Sequence, residues 1–390
     1  MIPYGHQDIS ETDIQNVVEV LRSDFLTQGP VIPVFEKAVA AYCGSRHAVA
    51  VNSATSALHI ACLALGVGRG DSVWTTPITF VATANCALYC GADVDFVDIN
   101  PHTNNMSVEC LSKKLEEAEV TGRLPKVVIP VHFCGQSCEM EAIASLGKRY
   151  GFNIVEDASH AIGGRYRDEP IGSCCYSDIT VFSFHPVKII TTGEGGMLLC
   201  NNDDLARRMQ LLRSHGITRD PSEMTHFPDG PWYYQQIVLG FNYRMTDIQA
   251  ALGMSQLQRL DEFVLKRHDI AKCYNELFAE LPLMIPACLP DSFSSMHLYV
   301  VRLQLAEIVK SQQEVFDALH SAGIGVNLHY IPVYRQPYYK SLGFTAGYCP
   351  EAERYYMEAI SLPIYSSMNR QQLDFVLFTV KQLFETIIKK

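Results

Sequence analysis

The chain has 390 residues, 48% of them hydrophobic and 19% charged, enough for a large buried core in one or two domains. Its 42 acidic and 31 basic side chains leave a net charge of −11, which argues against a nucleic-acid surface built on clustered lysine and arginine. No apolar run reaches the ~18 residues that a membrane-crossing helix requires, so no membrane partner is expected.

The opening MIPYGHQDIS carries neither a basic segment nor an apolar one, so no signal peptide is read and a cytoplasmic protein is expected. A first helix is predicted near residues 10–22. Apolar strand-like runs follow at 48–52, 73–76, 93–98, 126–131, 153–157, 179–184 and 196–200. Helical periodicity falls at 55–65, 80–88, 140–150 and 203–214. Continuous apolar strands joined through helices predict an α/β fold with a mostly parallel central sheet covered on both faces. Beyond about residue 255 the pattern changes to a long helix (250–277), a strand (298–303), a helix (312–322), a strand (326–329) and C-terminal helices. The expected organisation is a large domain over 1–250, including the N-terminal segment, and a smaller α+β domain over 251–390, firmly docked.

The thirteen cysteines show no framework spacing, and several lie inside apolar runs, so they read as reduced core thiols. His132, Cys134 and Cys138 lack a second paired half, and no zinc site is expected.

In open α/β sheets, ligands gather at the carboxyl ends of the strands. Three such ends carry suggestive chemistry. The first predicted strand runs into Ser53, Ala54 and Thr55, which open a helix whose free N–H groups suit a phosphate; plain capping by Ser53 or Thr55 is the alternative. The strand 153–157 ends in Asp157, followed by His160; the carboxylate suits a protonated ring nitrogen or, more simply, a helix cap. The strand 179–184 carries Ser183 and leads to Lys188, set between apolar neighbours before a glycine turn. Desolvation there lowers a lysine's pKa and makes it a nucleophile toward an aldehyde; otherwise its stem lies on apolar surface while the amine reaches water. Phosphate cradle, ring partner and lysine, in that order, are what pyridoxal 5'-phosphate needs. Gly66, Gly68 and Gly70 follow a helix rather than a strand, and no GxxxxGK[ST] loop is present, so NAD and ATP are disfavoured.

Longer motifs sharpen this reading: LTQGP (26–30), NSATSAL (52–58), TTPITFVATAN (75–85), EDASHAIG (156–163), FHPVKIITTGEGG (184–196), RSHG (213–216), GFNYRMTDIQAALG (240–253) and LHYIPVY (328–334). Across essentially its whole length the chain resembles the DegT/DnrJ/EryC1/StrS sugar-nucleotide aminotransferases, which have the pyridoxal-phosphate fold type I, the aspartate-aminotransferase-like architecture. The resemblance implies that Lys188 carries the cofactor covalently and then shuttles the proton, with Asp157 against its ring nitrogen. It further implies that Phe80 stacks on the ring, that His160 meets its other face or edge, and that Ala54, Thr55 and Ser183 hold the phosphate. Asn242 would reach the cofactor of a second subunit, which implies a homodimer with shared sites.

Within the family, the HPVK and ITTGEGG segments look most like members that move the amino group of L-glutamate to C4 of a UDP-linked 4-keto-6-deoxy-N-acetylhexosamine on the path to pseudaminic acid. By that likeness Tyr4, Asp24, Phe25, Leu26, Thr27, Asn327, Leu328, His329 and Tyr330 line the sugar pocket; the bland alternative is that His329 and Tyr330 end a strand. Arg219, Arg244 and Arg335 are the candidates for the diphosphate. The rival readings are an aminotransferase for a dTDP-sugar or for C3, and a non-catalytic pyridoxal-phosphate sensor.

Overall fold

Short runs dense in Val, Ile and Leu form the centre of the protein, seen in a computed structural model that describes residues 1–389. The strands are β1 (His47–Val51), β2 (Ser72–Thr75), β3 (Asp93–Phe96), β4 (Val127–Ile129), β5 (Asn153–Asp157), a small ribbon of β6 (Arg165–Tyr166) and β7 (Glu169–Pro170), then β8 (Ile179–Ser183) and β9 (Gly196–Cys200). Seven of them make one sheet in the order β1-β9-β8-β5-β4-β2-β3. Pairing is parallel from β3 through β8, and β9 runs antiparallel to both of its neighbours. Every residue of β8 and β9 is buried, as expected of strands covered on both faces. This is the expected α/β fold type I.

Nine helices precede the C-terminal region: α1 (Glu11–Leu21), α2 (Val31–Cys43), α3 (Ala54–Ala64), α4 (Ala82–Tyr89), α5 (Val108–Thr121), α6 (Met140–Tyr150), α7 (Asp203–Arg213), α8 (Asp247–Leu257) and α9 (Leu260–Phe278). Sequence periodicity did not anticipate α2 or α5. In α2, Pro33 sits in the first turn, where its missing N–H costs no helical hydrogen bond, so a residue that reads as a breaker is tolerated. The helix predicted over 250–277 is two helices. Nothing local breaks it; instead Arg259, between them, reaches Asp8 and Asp13 at 3.1 and 2.7 Å. The strand predicted over 326–329 is absent. Asn327 Oδ1 accepts the Leu328 amide at 2.8 Å, which removes that donor from a ladder, and a single bridge to Ser361 remains.

A second, three-stranded antiparallel sheet (Leu283–Met284, Tyr299–Leu303, Ala359–Leu362) packs with the C-terminal helix Arg370–Ile387 around its own core. The first turns of α9 bury Leu260, Phe263 and Val264 with the large sheet, and its later turns bury Tyr274 and Phe278 with the small one. We propose two units, 1–250 and 251–390, fastened by this helix. Ile2 crosses to the second unit, exchanging backbone hydrogen bonds with Gly323 and Gly325 at 2.8 and 2.7 Å. Among the described residues no helix is long and apolar enough to cross a membrane.

Candidate active site

Because β1, β5 and β8 run the same way, their carboxyl ends open on one edge of the sheet, into a cleft of about 930 Å³. Each strand end supplies one part of it.

After β1, Ser53 caps α3 by accepting the Ser56 amide at 3.1 Å, which leaves Ala54 and Thr55 in the first turn facing the cleft. On the neighbouring strand, a Cβ at Gly196 would lie 2.6–2.7 Å from Ser53 C and O and from Ala54 N. Only glycine lets β9 start directly beneath this helix end.

After β5, Asp157 is 4% exposed and still ordered: Oδ1 accepts the Ser159 amide at 3.1 Å and Oδ2 accepts the Thr83 hydroxyl at 2.6 Å. Thr83 lies within 2.7 Å of Thr79 on the same face of α4's entry.

The loop between β8 and β9 presents Lys188. It is closed by Phe184 N to Gly195 O at 2.9 Å and by Thr191 Oγ1 to Phe184 O at 2.9 Å, and Ile189 and Ile190 anchor it in the core. The residue is partly exposed and lines the cleft. Burial lowers its pKa from 10.5 to about 8, against the opposing attraction of Asp157.

Phe80 lies bare at the cleft, 59% exposed, its ring centroid 6.4 Å from that of Tyr330. His160 also lines the cleft, its Nε2 3.2 Å from Tyr330 Oη and its Nδ1 buried without a partner among the described residues. Burial first, then the charge of Lys188, holds His160 well below the usual histidine range. Tyr4, Asn327, Leu328, His329 and Tyr330 also line the cleft. His329 Nδ1 lies 2.8 Å from Ser361 Oγ, and burial lowers its pKa to about 3.

One chain thus gathers Tyr4, Ala54, Thr55, Phe80, Asp157, His160, Ser183, Lys188 and 327–330 around a single cleft. It does not bring Asp24, Phe25, Leu26, Thr27 or Asn242 there: all five are exposed outside it, Thr27 bridging Thr246 and Asn242 bridging Ser214. Arg219, Arg244 and Arg335 also lie outside the lining. Sequence reasoning passed over Thr83, His297 and Gln249. Thr83 stands inside a quoted motif, and its place four residues after Thr79 was the available signal. His132, weighed for metal, instead pairs Nε2 with Glu156 at 2.6 Å and accepts the Cys138 amide at 3.1 Å on Nδ1.

The DegT/DnrJ/EryC1/StrS aminotransferase family matches residues 7–381. The chain belongs to this family. It is 40% identical to the spore coat polysaccharide biosynthesis protein SpsC of Bacillus subtilis, covering 98% of this chain and 97% of that one. It is 39% identical to the UDP-4-amino-4,6-dideoxy-N-acetyl-beta-L-altrosamine transaminase of Campylobacter jejuni, covering 100% and 99%. Helicobacter pylori PseC, an aminotransferase of pseudaminic acid biosynthesis, superposes with a TM-score of 0.89 at 31% identity, over 99% of both chains.

The protein is a pyridoxal-phosphate-dependent sugar aminotransferase. Its residues fit the cofactor on three counts. An amine of lowered pKa faces the cleft, free helix N–H groups stand beside the Ser183 hydroxyl, and a fixed carboxylate lies across from them.

Proposed function

We propose that this aminotransferase moves the amino group of L-glutamate to C4 of a UDP-linked 4-keto-6-deoxy-N-acetylhexosamine, with 2-oxoglutarate leaving, in the cytoplasm. The observation that carries the reaction type is the cleft-facing Lys188 amine, desolvated and set across from the anchored Asp157. Pyridoxal phosphate, when bound, supplies the electron sink for breaking and making bonds at the amine-bearing carbon.

The protein's share is positioning and proton transfer. Ala54, Thr55 and Ser183 would hold the phosphate. Asp157 would keep a proton on the ring nitrogen, and Phe80 and His160 would confine the ring. Lys188 Nζ, with its pKa near 8, takes the proton from the α-carbon of glutamate and delivers one to C4 of the sugar. Tyr4, Asn327 and His329 would orient that sugar; His329 stays neutral at physiological pH and acts there as a hydrogen-bonding group.

A homodimer with shared sites belongs to the same reading. The segment before Asn242 exposes Phe227, Trp232, Tyr234, Val238 and Leu239, an apolar run suited to a second copy of this chain. That copy would bring Asn242 to the neighbouring phosphate, and the exposed 24–27 segment would join a sugar pocket across the interface.

The likeness to the C. jejuni transaminase supports the UDP-linked C4 reading. The equally similar B. subtilis relative is named only for spore coat polysaccharide, and a second reading is that the acceptor is another keto-sugar nucleotide, dTDP-linked or aminated at C3. Purified holoenzyme with glutamate and a panel of these sugars separates the two. Mass spectrometry and NMR are expected to place the new amine at C4 of the UDP-sugar; exclusive turnover of another acceptor overturns the proposal.

A further inference from the structure

Arg267, on α9, is 1% exposed, and no carboxylate approaches it among the described residues; burial lowers its pKa to about 10, with no opposing charge to raise it. A buried guanidinium without a counter-ion is costly, and an apolar side chain of similar volume would pack there more cheaply. What it does have is three backbone carbonyls. Its Nη1 donates to Met296 O at 3.4 Å, to His297 O at 3.1 Å and to Ile364 O at 2.9 Å, while Nε finds no partner.

Two of those carbonyls belong to a turn in which Met296 has φ +52, the left-handed region that a non-glycine residue rarely occupies unless its surroundings hold it there. The same turn is tied on its other side. The Ser295 amide donates to Gly135 O at 3.1 Å, and the His297 amide to Cys134 O at 2.9 Å. Ser295 Oγ donates to His160 O at 2.7 Å, in a space that a Cβ at Gly135 would fill.

The turn delivers His297 to the cleft wall. Its ring centroid lies 4.4 Å from that of His160 at an interplanar angle of 49°. Each ring has its Nδ1 buried and unpartnered, so packing between the rings, together with the Tyr330 hydroxyl on His160 Nε2, sets their orientation. We propose that Arg267 and His297 are positioning residues for His160. Arg267 fixes the turn at Met296, the turn sets His297 against His160, and the His160 ring is thereby held at the angle at which it confines the cofactor. This rests on the reading above that His160 lies against the cofactor ring.

The test is a double-mutant cycle on the apoenzyme's affinity for pyridoxal phosphate, with kcat and KM of the holoenzyme measured in parallel. Arg267→Gln and His297→Asn are each expected to weaken cofactor binding about tenfold. The double variant should lie within about twofold of either single one, and Arg267→Lys should recover most of the loss. Losses that simply multiply in the double variant overturn the proposal. So does unchanged affinity in both single variants while His160→Ala weakens binding, in which case the placement of His160 survives. Unchanged affinity in His160→Ala brings down that placement and this proposal with it. If Arg267→Gln does not fold, His297→Asn decides alone: tenfold weaker binding supports the proposal and unchanged binding overturns it.

Discussion

Thr83 donates its hydroxyl proton to Asp157, Oγ1 to Oδ2 at 2.6 Å. The bond joins the entry of α4 to the end of β5 and leaves Asp157, with its second oxygen on the Ser159 amide, little freedom to turn. A hydrogen bond to a charged acceptor contributes about 1.5–3 kcal/mol, and leaving the carboxylate unsatisfied costs a comparable amount. Thr83→Val should therefore lower kcat by roughly 10- to 100-fold, while Thr83→Ser stays within about threefold of the parent. Steady-state kinetics on the two variants checks this, and equal activity in both would remove Thr83 from the account.

The lowered pKa of Lys188 makes a prediction for the apoenzyme. Only the neutral amine attacks an aldehyde, so the rate of covalent cofactor attachment should rise through about pH 8 and level off above it. Stopped-flow absorbance across pH 6–11 reads the midpoint. A midpoint near 10.5, the ordinary lysine value, would mean that the cleft does not desolvate the amine. The sign carries into stability. Between about 8 and 10.5 the unfolded chain binds more protons at this site than the folded one, so this group's contribution to apoenzyme stability improves as pH rises through that window.

His329 tests whether the two proposed substrates are held by different groups. Its ring is buried against Ser361 in the cleft wall, where the proposed sugar pocket would form. His329→Gln should raise KM for the keto-sugar nucleotide about tenfold, the cost of one imperfect polar contact of about 1.4 kcal/mol, and leave the half-reaction with glutamate within twofold. An equal loss in both half-reactions would place the residue in the shared chemistry instead.

Gly196 tests the phosphate end. In Gly196→Ala the new methyl meets backbone of Ser53 and Ala54, which cannot swing away as a side chain would. The expected result is a loss of about 1–3 kcal/mol of stability from overpacking, and cofactor affinity at least tenfold weaker. Thermal unfolding of the apoenzyme and a cofactor titration measure the two effects. Unchanged affinity would mean that the α3 end does not bear on the phosphate.

Much of the site is legible in the chain because Asp157 ends an apolar strand and Ala54, Thr55 and Lys188 lie in the segments that leave one, and strands in a mostly parallel sheet deliver such residues to one edge. The remainder depends on pairings with no local signature. His297 and His160 are far apart in sequence and meet only through the turn that Arg267 holds. Residues 327–330 gather at the cleft wall as irregular chain rather than as a strand end, since Asn327 turns its own side chain onto the backbone. The break at Arg259 is likewise imposed from outside, by Asp8 and Asp13, in a stretch whose own residues favour helix. The segment 24–27 and Asn242 belong to no cleft that one chain can close, so a reading confined to a single copy leaves them on the surface.

The central claim is that the Lys188 amine forms the covalent link to the cofactor. The direct measurement is borohydride reduction of the holoenzyme followed by peptide mass spectrometry. The account predicts a mass gain of one reduced pyridoxyl phosphate on the peptide containing Lys188, and none in Lys188→Ala. A label on a different lysine, or no label on yellow, fully loaded protein, would contradict it.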